Sequence, residues 1–187
     1  MKRLIVAISG ASGVSYGIRL LEVLNNMKTI EVHLVISKSA EMIAKRECKI
    51  KNINDLRSLA DIVHDFKDIG AKISSGSFLT AGMVVIPCSI KTLSGIANSY
   101  NENLIIRAAD VCLKERRKLV VVVRETPLHL GHIELMEKVT KMGGVILPPM
   151  PSFYHEPQTI DDIINQTIGK VLDQFSIEHN LFKRWNG

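Results

Sequence analysis

The stretch Arg3-Leu4-Ile5-Val6-Ala7-Ile8-Ser9-Gly10-Ala11-Ser12-Gly13 decides the fold. Its apolar run is short, partly β-branched and cut off by a glycine turn, which predicts a strand buried on both faces followed by a tight loop. From Val14 to Met27 the apolar residues Ile18, Leu20, Leu21, Val23 and Leu24 recur at helical spacing, so a helix follows at once. Working outward, Val32 to Ile36 is a second buried strand, and Ser37 or Ser39 caps a helix running to about Glu47. Gly82 to Ile86 is a third strand, stopped by Pro87. Helices follow over about 89–99 and 103–118, with Leu119 to Val123 as a fourth strand. A helix over about 132–142 leads to a fifth strand, Val145 to Leu147. Thr159, with Asp161 and Asp162 in the first turn, opens a last helix to about Phe175. Residues 49–77 carry the weakest pattern: a short helix over about 54–63 and a turn at 74–77. Buried strands alternating with helices predict an α/β architecture, a doubly wound, mainly parallel sheet.

A chain of 187 residues fits one domain, with a helical tail from about residue 175. Hydrophobic residues at 46% and charged residues at 23% are ordinary for a globular protein and exclude a disordered one. The net charge of +5 favours small phosphorylated ligands or nucleic acid, but aromatics at 5%, not interleaved with basic residues, argue against an RNA-binding surface. No apolar run reaches the roughly 18 residues that span a bilayer, so no membrane partner is expected. The apolar stretch after Arg3 is too short for a signal peptide, which predicts a cytoplasmic protein. Cys48, Cys88 and Cys112 form no C-x-x-C motif and fit a reducing compartment.

In open parallel sheets, ligands bind beyond the carboxyl ends of the strands. Five polar segments fall at such ends: 9–13, 37–39, 87–92, 124–127 and 148–157. The first loop offers glycines and a helix N-terminus to an anion. Gly10, Gly13 and Gly17 are spaced three and four apart, so no dinucleotide fingerprint is present. The plain alternative is a tight turn with Ser12 as N-cap. In the third segment Ser89 and Thr92 present hydroxyls and Lys91 a charge, or else cap a helix with Lys91 in solvent. Cys88 reads as packing. Arg107, Asp110 and Lys114 share a helix face, whereas Arg116, Arg117 and Lys118 read as solvated. His129, His132 and Glu134 lack a metal-site spacing. Arg124-Glu125 is a charged pair after a buried strand, costly there unless partnered, and so a candidate for site chemistry.

Longer motifs carry a family likeness. GASG at 10–13, ISKSAE at 36–41, SSGSF at 74–78, VIPCSIKTLSGIA at 85–97, RAADVCLKERRKLVVVVRETPL at 107–128, PPMPSFYHEP at 148–157 and the closing Arg184-Trp185 together resemble the flavin prenyltransferases of the UbiX/Pad1 type. SSGSF, LDQFSIEH at 172–179 and the closing pair lean towards the branch that accompanies phenolic acid or hydroxybenzoate decarboxylases. The resemblance implies a Rossmann-like flavoprotein fold that binds reduced FMN as prenyl acceptor. It implies a dimethylallyl group taken from dimethylallyl phosphate, bonds formed at flavin N5 and C6, and no metal. The product, prenylated FMN, goes to a UbiD-type decarboxylase. A homo-oligomer of trimers packed into a dodecamer, with the site shared between protomers, is also implied.

Residue by residue, the resemblance assigns flavin contacts to Gly10, Ala11, Ser12, Ser37, Ser89, Ile90, Lys91, Thr92, Arg107 and Arg124. It assigns the donor to Lys114, Arg124, Tyr154, Lys170 and Trp185, and catalysis to Ser12, Glu47 and Glu125. Position 170 departs from the pattern, since many relatives have Arg there and a Lys gives no bidentate fork. Two alternatives compete. A cysteine-type decarboxylase of related fold would carry P-A-S-A-N-T where this chain has PCSIKT, and a P-x-M-N segment that is absent here. A non-catalytic flavin-binding or delivery protein would bind FMN without modifying it.

Overall fold

The computed structural model describes residues 1–186. Its elements are β1 (Lys2–Ile8), α1 (Val14–Met27), β2 (Ile30–Ile36), α2 (Lys38–Glu47), α3 (Ile53–Arg57), β3 (Ile62–His64), β4 (Gly82–Cys88), α4 (Ile90–Ala97), α5 (Leu104–Lys114), β5 (Lys118–Val123), α6 (Leu130–Lys141), β6 (Val145–Ile146) and α7 (Ile160–Gln174). The six strands form one sheet in the order β3-β2-β1-β4-β5-β6, and every pairing is parallel. This is the Rossmann order, with its reversal between β1 and β4.

Side chains alternate across the sheet, and helices cover both faces. Leu4, Val6 and Ile8 of β1 join Leu34, Val84 and Val122 in one core with α1 and α7. Ile5 and Ala7 join Val85, Val121 and Leu93 in the other, with α4 and α5. Polar side chains are therefore pushed to the strand ends. α1 lies close on the sheet at Gly17, where an added Cβ would sit 2.5 Å from the Ile86 carbonyl oxygen and 2.9 Å from Ile8 Cδ1.

Several expectations are corrected. The sheet has a sixth strand, β3, inside the stretch expected as helix to residue 63; α3 ends at Arg57. β3 is a three-residue edge strand with Ile62 and Val63 exposed, so it carries no alternation to read. It is tied to β2 through the fully buried His33, which contacts His64 at 2.9 Å and Glu31 at 2.8 Å. β4 continues past Pro87 to Cys88, with a register irregularity against β5 that accommodates a residue without an N–H.

The helix expected to residue 118 ends at Lys114, because Arg116 turns into the left-handed region and Arg117 N–H bonds back to the Cys112 carbonyl at 2.8 Å. A glycine would have announced that turn; Arg does not. The tail from about 175 is not helical. Ser176, at φ 53, ends α7 in the same way, and the chain then runs back over α7 without regular structure.

Gly17→Ala is expected to overpack the α1–sheet contact and cost about 1–3 kcal/mol, read as a lowered denaturation midpoint with an unchanged m-value.

Candidate functional site

The loops at the carboxyl ends of β1, β2 and β4 converge beside the strand-order reversal. Ser9, buried, joins two of them: its hydroxyl donates to the Pro87 carbonyl at 3.1 Å and accepts from Ser89 N–H at 2.8 Å. Ser37 N–H bonds to the Ile8 carbonyl at 3.0 Å, which brings in the third loop. Ser37 then caps α2 by accepting from Ala40 N–H at 3.1 Å, and Ser89 caps α4 by accepting from Thr92 N–H at 3.3 Å. Two helix N-termini thus point into one place, where an anion is favoured.

A cavity of about 260 Å³ occupies that place, lined by Gly10, Ser37, Ser89, Lys91 and Thr92 among others. Gly10 has no room for a side chain, since a Cβ would lie 2.4 Å from Ser39 Cβ. The absent Cβ lets Ser39 pack directly onto the first loop, and Gly10 forms part of the cavity wall. Ala11 lies in the first of these loops, its N–H closing the turn onto the Ser9 carbonyl at 2.9 Å, and Ile90 opens α4 directly after the capping Ser89. Lys38 and Ser39 of the 37–39 segment also line the cavity, as do Phe66, Lys67, Asn103 and Ile106, which were missed from sequence. Phe66 and Lys67 fall in the patternless stretch. Asn103 shows only the signal of a helix cap, which it also is, accepting from Ile106 N–H at 3.2 Å.

A second group gathers at the start of α1. Gly13, not Ser12, is the N-cap residue. Glu47 reaches back from the end of α2 and accepts from Gly13 N–H at 2.8 Å. Burial pushes its carboxyl up, but bonds from the Ser12 hydroxyl and the Gly13 and Val14 N–H groups, with the nearby Arg124 charge, overcome this and hold it below its ordinary value. Arg124 is positioned by its own N–H bond to the Cys88 carbonyl at 3.0 Å. Tyr16, missed from sequence, joins this group; burial raises its phenol and the Arg124 charge opposes that rise. The structure thus brings Ser12, Glu47 and Arg124 together.

A third group lies on the loop before α7, on α7 itself and on the tail. The Tyr154 and Trp185 rings meet edge to face at 6.2 Å, and Lys170 Nζ lies 3.9 Å from Asp173 Oδ2.

Three predicted residues stand apart. Arg107 follows the cavity-lining Ile106, but its guanidinium donates to Asp110 at 3.1 Å. Lys114 pairs with Glu115 at the opposite end of α5, 11 residues or about 16 Å from the cavity end. Glu125 is exposed and accepts from Thr126 N–H at 3.0 Å, so the expected cost of burying it does not arise; β5 ends at Val123 and the loop turns to solvent. Burial raises the Cys88 thiol and pushes Cys112 up to about 12, which leaves both as packing. His129 caps α6, its Nδ1 accepting from Gly131 N–H at 3.1 Å.

A family model described as Flavoprotein matches residues 1–172. The flavin prenyltransferase UbiX of Salmonella typhimurium strain LT2 is 58% identical over 189 aligned residues, covering 100% of both chains. This chain belongs to the UbiX flavin prenyltransferase family. A solved UbiX structure, in complex with FMN and dimethylallyl pyrophosphate, superposes with a TM-score of 0.96 at 47% identity, covering 100% of this chain and 98% of that one. A dodecameric FMN-dependent UbiX-like decarboxylase from Escherichia coli O157:H7 superposes equally well, TM-score 0.96 at 49% identity, covering 99% of this chain and 100% of that one. Family membership sets aside the cysteine-type decarboxylase alternative. Among the described residues no helix is long and apolar enough to cross a membrane.

Because the Glu47 carboxyl sits below its ordinary 4.5, the stability it adds is present above that pH and lost as the pH falls through its folded value. The stability gap between the wild type and Glu47→Gln is expected to be open at pH 7 and to close towards pH 3, measured by denaturant titration at each pH.

Proposed function

We propose that this chain transfers the dimethylallyl group of dimethylallyl phosphate to N5 and C6 of reduced FMN, releasing phosphate. The full-length identity of 58% to flavin prenyltransferases carries this reading. The cavity at the strand-order reversal supports FMN as the acceptor. Converging helix N-termini, Lys91, Lys67 and the Ser37, Ser89 and Thr92 hydroxyls suit a phosphate-bearing, hydroxyl-rich ligand, and Gly10 gives it backbone contact. The prenylated FMN is a cofactor rather than an end product, and we assign its delivery to a UbiD-type aromatic acid decarboxylase.

In this reading the leaving phosphate is stabilised by preorganised positive charge, Arg124 and Lys170, with Tyr154 as a hydroxyl donor. The aromatic pair Tyr154 and Trp185 shields a developing allyl cation from water. Glu47, poised as a carboxylate with Ser12, serves proton transfer near N5, and Glu125, exposed in one copy, acts beside it once a neighbouring copy closes the shared site. Lys114 faces away from its own cavity, so it reaches a donor only from a neighbouring copy. Arg107 likewise serves a shared site. The exposed Leu130, Ile133, Met150, Phe153 and Ile160 supply apolar surface for such an assembly, and we propose a trimer-based homo-oligomer, a dodecamer. Three free cysteines, two of them buried thiols, fit the reducing cytoplasm.

Anaerobic incubation with reduced FMN and dimethylallyl phosphate is expected to give a flavin heavier by one dimethylallyl unit, read by mass spectrometry. Unmodified FMN with both the mono- and diphosphate donors would instead favour the non-catalytic carrier. Glu125→Gln is expected to keep FMN affinity and lose about 10²-fold in turnover. Lys170→Ala is expected to weaken the donor alone, and Lys170→Arg to restore it. Light scattering is expected to report an oligomer; a monomer that still turns over contradicts the shared site.

A further inference from the structure

We infer that Asp173 is a positioning residue that fastens the C-terminal strap, residues 175–186, across α7 and thereby sets Trp185 against Tyr154. The inference rests on the reading of Tyr154 and Trp185 as the donor wall. Asp173 lies in the last turn of α7 and gathers the strap onto its carboxylate. Arg184 takes it as a fork, Nη2 donating to Oδ1 at 2.7 Å and Nη1 to Oδ2 at 3.1 Å. This bidentate geometry fixes the direction of the guanidinium as well as its distance. His179 Nε2 lies 3.2 Å from Oδ1, and its Nδ1 accepts from Leu181 N–H at 3.2 Å. The latter bond places the ring proton on Nε2, where it donates to Asp173. Both strap residues therefore spend their donors on one carboxylate.

A separate feature of α7 points the same way. Gly169 sits inside the helix, where it costs roughly 1 kcal/mol in helix propensity relative to Ala, about a fivefold penalty. A Cβ there would stand 2.4 Å from Phe182 Cε1 and 2.5 Å from His179 Cε1. The helix is thus notched to seat the strap. Arg184 also lies over the Phe182 ring, 5.4 Å from its centroid. Trp185 is the next residue, mostly exposed, and touches Tyr154 edge-on. Its position follows from Arg184, because the tryptophan itself has little else to hold it. Lys170, one turn before Asp173, stands on the same side of the helix.

Trp185 is the sole tryptophan, so its fluorescence reports the strap alone. Asp173→Asn keeps the shape and removes the charge, and Arg184→Lys keeps the charge and removes the fork; neither position is in the core. Both are expected to lower Trp185 anisotropy and to raise the apparent KM for dimethylallyl phosphate about tenfold, with kcat within about twofold and FMN titration unchanged. Asp173→Glu is expected to recover part of the KM. Trp185→Ala, measured beside them, is expected to raise the donor KM as well. If Trp185→Ala raises it while Asp173→Asn and Arg184→Lys leave anisotropy and KM at wild-type values, Asp173 is no positioning residue and the donor wall stands. If anisotropy falls in both variants and KM does not move, the strap is held but serves no donor, and the inference fails. An unchanged donor KM in Trp185→Ala removes the donor wall itself, and the inference with it.

Discussion

Six parallel strands covered by helices on both faces leave polar side chains few places to stand except the strand ends, and the cavity with its lining follows from that. A charge in the middle of β1 or β4 would lack both water and a partner, at a cost that far exceeds what one residue contributes to stability. The loops after Ile8, Ile36, Cys88 and Val123 therefore collect serines, glycines and charges. The order reversal between β1 and β4 then opens a crevice that no crossover covers.

Within that crevice the polar groups do double duty. Ser37 and Ser89 satisfy helix N-termini that would otherwise be orphaned, and they line the cavity as well. Glu47 likewise supplies the acceptor that α1 lacks, since its N-cap is Gly13 and offers no side chain. A carboxylate so placed is held ionised by the helix it caps and lies within the field of Arg124. Structure and chemistry draw on the same hydrogen bonds, so the loop geometry cannot relax without altering the site.

In the proposed function the site is completed by a neighbouring copy of the chain. Of the residues that the family resemblance assigns to the site, Arg107 and Lys114 are engaged with Asp110 and Glu115, and Glu125 faces solvent. Lys114 ends a helix that runs away from the cavity. Both core clusters close within one protomer, which still leaves part of its charge and apolar surface turned outward.

Sequence by itself determined five of the six strands, the caps of α2, α4 and α7 and most of the loops that line the cavity. Buried parallel strands read as unbroken apolar runs, and Ser37, Ser89 and Thr159 announce helix starts through local bonding that needs no tertiary partner. β3 escaped because three exposed residues carry no period, and its place depends on the buried His33 of another strand. The end of α5 and the non-helical course of the tail escaped because Arg116 and Ser176 take a left-handed turn that only glycine advertises. The exposure of Glu125, the linkage of Glu47 to α1 and the seating of the strap on Gly169 were decided by tertiary structure alone. Each joins residues far apart in the chain or depends on where an element stops, and neither is written in local propensity.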